Sequence, residues 1–268
     1  MVRLREVQIG ALSIDRLSAV VGEKRVQSLR AVADAAQEDF AGRTIWNVNS
    51  TAVGGGVAEM LQVLLAYARG AAIDTRWLVI EGDAEFFAVT KRIHNRLHGV
   101  AGDGGPLAPA QRAVVERVSA ANASALAELV RAGDVVVLHD PQTAGLVDAM
   151  GARGARVVWR CHVGADEVNG HVEDAWSFLR PYLEPAPDRV RRRGRRGRAC
   201  VPPPGRLAAV NRLLHDVSLA ARLGGAARSR AVEEFVGDRH LARYADLLRG
   251  LLAGAPPVSG PEPLPRPG

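Results

Sequence analysis

Apolar positions alternate along this chain between a period of three to four residues and short unbroken runs, the mark of helices alternating with buried strands. From Ser13 to Glu38 the spacing is helical, with Ile14, Leu17, Val20, Val21, Leu29, Val32 and Ala33 near one face; Gly22 bends or breaks it, which allows two helices. A short strand, Thr44 to Val48, runs into a loop of Asn49, Ser50, Thr51 and the glycines Gly54, Gly55 and Gly56. The next helix carries Val57, Met60, Leu61, Leu64, Leu65 and Ala68, and Gly70 closes it. Thr75 to Ile80 reads as a buried strand, Asp83 as the cap of a helix holding Phe86, Phe87, Val89, Ile93 and Leu97 inward, and Gly99 to Pro109 as a loop. A helix from about Ala110 to Arg131 leads to Asp134-Val-Val-Val-Leu138, a continuous apolar run typical of a strand covered on both faces. His139-Asp140-Pro141-Gln142, a short helix from Gly145 to Met150, a strand from Arg156 to Cys161 and a helix from about His171 to Tyr182 complete the alternation.

Strands alternating with helices imply right-handed crossovers and an α/β fold with a mainly parallel sheet. In such sheets ligands gather beyond the carboxyl ends of the strands. Three polar loops belong there: Asn49 to Gly56, His139 to Gln142, and His162 to Asp166. The glycine loop has two readings. It brings backbone N–H groups at a helix start close to an anion or to sugar hydroxyls, or it only permits tight strand-to-helix packing. Asp140-Pro141 likewise reads as a site or as a turn. Two nucleotide motifs are excluded: Val57 and Ala58 stand where a P-loop needs Lys-Ser/Thr, and Glu59 stands where Gly-x-Gly-x-x-Gly needs its last glycine.

Periodicity stops at Glu184. Residues 184–205 read as an Arg/Pro-rich linker, residues 206–252 as C-terminal helices with Leu241, Tyr244, Leu247, Leu248 and Leu251 aligned and Asp238 as a cap, and residues 253–268 as a proline-rich disordered tail. Before them lie an N-terminal helical segment, 1–42, and the α/β domain, 43–183. Charge reinforces the division. The net charge of +6 is accounted for by seven arginines and one aspartate between Asp188 and Arg198, leaving a neutral body. Such a run reads first as a solvated, disordered segment; phosphate neutralisation by it is non-specific, and with no aromatic residue between Tyr182 and Arg206 to stack on bases, nucleic acid is not an expected partner. Two cysteines, Cys161 and Cys200, make no disulfide framework, and Cys161 reads as a small core residue. No apolar signal core and no apolar run of 18 residues occur, so a cytoplasmic protein without a membrane partner is expected. His162, Asp166, His171 and Glu173 lack a known metal-ligand spacing.

The stretches Trp46-Asn-Val-Asn-Ser-Thr-Ala-x-Gly-Gly-Gly-Val-Ala-Glu-Met60, Phe86-Phe-x-Val-Thr-Lys-Arg-Ile-His-Asn95, His139-Asp-Pro-Gln142 and Trp159-Arg-Cys-His162 resemble the trehalose-synthase-type retaining glycosyltransferases of the two-domain GT-B fold. The resemblance runs from Leu4 to Leu183, and Ala209 to Leu214 and Gly237 to Tyr244 are similar to that family's C-terminal helices. It implies a Rossmann-like N-terminal domain and transfer of glucose from a nucleotide-diphosphate-glucose donor to glucose, forming trehalose. It also implies that Gly54, Gly55 and Gly56 border the donor diphosphate and the acceptor. His162 would be the catalytic histidine near the transferring sugar, and His139, Asp140 and Gln142, with Arg160 in support, would hold sugar hydroxyls. No metal and no cofactor are implied beyond the donor substrate. The departure from the pattern is the second Rossmann-like domain, which in the family holds most of the donor. Only 106 residues follow His162, with no convincing buried strand after Cys161, and residues 184–205 have the composition of junction or out-of-frame sequence. Feeble or absent turnover by the chain alone is therefore expected, with self-association through an uncovered cleft face. The alternatives are a catalytically silent sugar-binding remnant and a polyanion-binding protein acting through the arginine run.

Overall fold

A computed structural model of the chain describes residues 4–165, 168–184, 216–234 and 237–253. Five strands, β1 (Arg5–Val7), β2 (Ile45–Asn49), β3 (Thr75–Val79), β4 (Val135–His139) and β5 (Arg156–Arg160), form one sheet in the order β1-β3-β2-β4-β5. All neighbours are parallel except β1, which pairs antiparallel with β3 at the edge. The helices among the described residues are α1 (Ser18–Val21), α2 (Glu23–Asp39), α3 (Gly56–Gly70), α4 (Ala84–Leu97), α5 (Pro109–Ala127), α6 (Val147–Ala152), α7 (Gly170–Leu183), α8 (Val217–Glu234) and α9 (Gly237–Leu252). None is long and apolar enough to cross a membrane.

Strand side chains alternate between two cores, as the pleat requires. Trp46, Val48, Leu78, Val136, Leu138 and Val157 join α4 through α7 on one face. Ile45, Trp77, Val79, Val135, Val137 and Val158 meet α2, α3 and α9 on the other. Both faces are thus covered, which is why β4 tolerates an unbroken apolar run. Asp134, just before β4, accepts from the Trp46 indole at 2.9 Å and from the Thr44 and Arg131 amides at 3.0 Å each, pinning the starts of β2 and β4 together.

Gly22, at φ +82°, does split the first helical stretch into α1 and α2. The segment expected to be helical throughout opens instead with β1, whose three residues are too few to show a period and which Glu6 anchors to Arg76 through two hydrogen bonds. Asp238 is not a free cap. It lies in the first turn of α9, where its carboxylate takes two bonds from the Arg25 guanidinium, at 2.8 and 2.7 Å. The Arg/Pro-rich linker beyond Glu184, the start of the expected C-terminal helices at residue 206 and the tail beyond Ala253 lie outside the described residues. Among the described residues no strand follows β5.

The strand order fixes where a crevice opens. From β2 the chain steps to β3 through α3 on one face, then crosses back through α4 and α5 on the other to reach β4 on the far side of β2. The reversal falls between β2 and β4, so the loops leaving their carboxyl ends part to opposite faces and open a crevice.

Candidate functional site

The glycine loop leaves β2 at this reversal. Asn49, buried at the strand end, accepts from the Trp77 indole at 2.8 Å and donates to the Thr51 carbonyl at 2.7 Å, which turns the chain outward. Gly54 and Gly55 then take φ of +73° and +90°, conformations that L side chains resist. A Cβ on any of the three glycines would meet nothing within 4 Å, so tight packing is not what glycine serves here. Gly55 is the N-cap of α3 and offers no side chain to its first turn. The three glycines are exposed, and the first N–H groups of a helix have no acceptor within it, the condition for receiving an anion. Gly55→Ala is expected to cost about 1–2 kcal/mol in urea denaturation because of its backbone angles. Gly56→Ala, at a helical residue without positive φ, is expected to be neutral or slightly stabilising.

Beside this loop, β4 ends in His139, which is wholly buried. Its Nδ1 lies 3.0 Å from His162 Nε2, and its Nε2 lies 3.3 Å from Asn47 Oδ1, on β2. The two imidazoles stack with centroids 5.3 Å apart. Burial first, then the nearby His162 and Arg160, hold the His139 pKa well below its ordinary value, so the ring is neutral.

Asp140 follows at φ +66° and ψ 174°. Pro141 disfavours a helical ψ before it, so a positive φ leaves Asp140 in a corner of backbone space otherwise visited almost only by glycine. The surroundings over-determine this geometry. The Asp140 amide donates to the Arg160 carbonyl at 2.9 Å, and its own carbonyl accepts from the Trp159 indole at 3.0 Å and the Thr143 hydroxyl at 3.1 Å. Its carboxylate accepts the His162 backbone N–H at 2.7 Å. Burial raises the Asp140 pKa to about 6, against the opposing pull of that N–H and of Arg160. Arg160, at the end of β5, is itself buried.

Four of the expected residues, His139, Asp140, Arg160 and His162, are thus joined in one cluster, and the glycine loop leaves the neighbouring strand. Gln142 sits in the following 3-10 turn (Pro141–Leu146), half-buried, and its Oε1 is buried without a hydrogen-bond partner among the described residues. Sequence reasoning missed Asn47 and Tyr244. The Tyr244 hydroxyl, on α9, donates to Asn47 Oδ1 at 3.0 Å. A polar residue between Trp46 and Val48 was the available signal for Asn47. Cys161 behaves as a core residue, donating its thiol to the Val163 carbonyl at 3.2 Å, with burial pushing its pKa up to about 12. Among the described residues no group of three or more His, Cys, Asp or Glu could hold a metal ion. Asp166, at the end of the third polar loop, lies outside the described residues.

The mainly parallel α/β domain, with a histidine pair and a strained acidic residue at its strand-order reversal, is Rossmann-like. Residues 47–194 match the family described as trehalose synthase, N-terminal domain, and the chain belongs to that family. It is 33% identical over 184 residues to the trehalose synthase of Pyrococcus horikoshii, covering 69% of this chain and 41% of that one. It is 38% identical over 144 residues to the trehalose synthase of Rubrobacter xylanophilus, covering 53% and 33%. A trehalose phosphorylase of Pleurotus pulmonarius is 31% identical over 149 residues, covering 49% of this chain and 19% of that one. The matched region spans about two fifths or less of these relatives' length.

Proposed function

We propose that this chain carries the sugar-binding side of a trehalose-metabolising glycosyltransferase site, with glucose or a similar sugar as acceptor. The observation that carries the reading is Asp140. A buried carboxylate on a strained backbone, beside the neutral His139 at the carboxyl end of the sheet, suits recognition of hydroxyl groups. With one oxygen held by the His162 amide, the carboxylate has capacity left to accept from a sugar hydroxyl. Gln142 Oε1 is a second acceptor without a bond among the described residues. The glycine loop and the start of α3 would face the donor's phosphate.

In glycosyl transfer the bond from the donor's anomeric carbon to phosphate oxygen breaks, and the acceptor hydroxyl oxygen bonds to that carbon. Its proton leaves to the departing phosphate or to a base. Rate depends on holding the two reactants at reacting distance and on stabilising the phosphate's growing charge. His162 is the candidate beside the transferring sugar. The donor would be a nucleotide-diphosphate-glucose, held mainly by the second domain that the resemblance implies, in a cytoplasmic setting. The described residues supply one wall of such a cleft.

Two measurements test the proposal on the purified chain. Calorimetry is expected to detect glucose or trehalose binding that Asp140→Ala weakens at least tenfold; no heat with either sugar would overturn the reading. Assays with glucose plus nucleotide-glucose donors, and with trehalose plus inorganic phosphate, are expected to show little turnover. Robust trehalose formation would overturn the expectation that one wall is insufficient, while binding without turnover fits a silent sugar-binding half.

A further inference from the structure

The hydrogen bonds around Asn47 determine which nitrogen of each of the two paired histidines carries a proton. Thr75 Oγ1 donates to the Ile45 carbonyl at 3.2 Å, so toward Asn47 it acts as an acceptor, receiving Nδ2 at 3.3 Å. That fixes Asn47 Oδ1 on the opposite side, as an acceptor with two lone pairs. One is taken by the Tyr244 hydroxyl at 3.0 Å. Burial raises the Tyr244 pKa to about 12, so the phenol keeps its proton at neutral pH. The second lone pair faces His139 Nε2 at 3.3 Å. An amide oxygen has nothing to donate, so Nε2 must carry the hydrogen.

His139 is wholly buried and neutral, and a neutral imidazole with Nε2–H has a bare Nδ1. Nδ1 can then only accept, and the atom facing it at 3.0 Å is His162 Nε2. His162 is thereby committed to Nε2–H. On its backbone side the same residue is tied by its N–H to Asp140 Oδ1.

We propose that Tyr244 and Asn47 are positioning residues that act through His139 to hold the His162 ring with a proton on Nε2. Tyr244 lies 197 residues from Asn47 in the chain, on the helix that the Arg25–Asp238 pair and the Leu248 and Leu251 side chains fasten beside α2. Docking of α9 thus sets the state of a ring at the crevice. Any response of the ring to sugar rests on the function proposed above; the tautomer does not.

The test is long-range proton–nitrogen NMR of the full chain with 15N-labelled histidine, at a pH where both rings are neutral. His139 and His162 are each expected as pure Nε2–H tautomers. Asn47→Leu keeps the volume and removes the acceptor, and both rings are then expected to lose their single tautomer. Tyr244→Phe keeps the packing and removes one donor, and the His139 Nε2–H is expected to exchange with solvent roughly fivefold faster, the effect of one buried hydrogen bond. A wild-type His162 protonated at Nδ1, or tautomers unchanged in a folded Asn47→Leu, would overturn the relay. Unchanged exchange in Tyr244→Phe would overturn the coupling to α9 even if Asn47→Leu fails to fold. Glucose added to the wild type is expected to shift the His162 ring nitrogens. Pure Nε2–H tautomers without that shift would sink the sugar reading and leave the relay standing.

Discussion

Asp140→Asn is expected to make the protein more stable at neutral pH, by about 2–3 kcal/mol, and to lose that advantage by about pH 4. Asparagine tolerates positive φ as well as aspartate does, so the backbone strain is unchanged. Its amide oxygen still accepts the His162 N–H. What disappears is the buried charge. The folded-state pKa of about 6 lies above the ordinary 3.8, so between about pH 4 and 6 the folded protein binds a proton that the unfolded chain has released. Stability therefore falls as pH rises through that window, by about 1.4 kcal/mol for each pH unit crossed. His139 acts in the opposite direction. With its folded pKa depressed, the unfolded chain takes up a proton near pH 6.5 that the folded state refuses, and stability is lost as pH falls. In the wild type the two slopes oppose each other. In Asp140→Asn only the histidine slope remains, so the variant should lose stability more steeply on acidification. Urea denaturation of both proteins at pH 4, 5, 6 and 7.5 gives the comparison. A difference that stays constant across those values would refute the buried-charge account. Where stability rises and sugar binding falls in the same substitution, the buried charge at residue 140 serves the ligand rather than the fold.

Asp140 also shows what the sequence could carry. Asp-Pro announces a turn, and local chemistry says no more, because the unusual φ is held by Trp159, Arg160 and Thr143, partners from β5 and the next turn. The doubly covered strand from Val135 was readable, since an unbroken apolar run has few other uses. The break at Gly22 was equally plain. β1 was not, being three residues paired at a sheet edge. Asn47 was hidden inside a strand whose apolar neighbours made it read as core. Tyr244 fits the helical period of Leu241, Leu248 and Leu251, and periodicity records which face a residue occupies, not where its hydroxyl reaches. The glycine loop had two readings until the open space around Gly54, Gly55 and Gly56 removed the packing one.

Leu248→Ala is expected to cost about 3–4 kcal/mol, whereas Arg249→Ala, one residue on, should leave stability almost unchanged. Both residues fasten α9, but by different physics. Leu248 is 2% exposed and belongs to the core that includes Ala36, Phe40, Ile45 and Leu65. An apolar cavity of about 50 Å³ already lies there, lined by Leu29, Ala36, Leu65, Leu241, Tyr244 and Leu248. Truncating the leucine enlarges a void instead of letting neighbours close over it, which places the cost above the low end of the usual range for such substitutions. Arg249 pairs with Asp39 where both side chains are more than a third exposed, so water and salt screen the attraction. Urea denaturation of the two variants reads the contrast directly, and near-equal losses would mean that the helix is held by charge. The distinction matters for the site. If apolar packing anchors α9, the Tyr244 hydroxyl stays on Asn47 at high ionic strength, and the histidine pair keeps its arrangement when surface pairs are screened. Leu248→Ala should then loosen that bond through its effect on docking while leaving the residues of the crevice untouched.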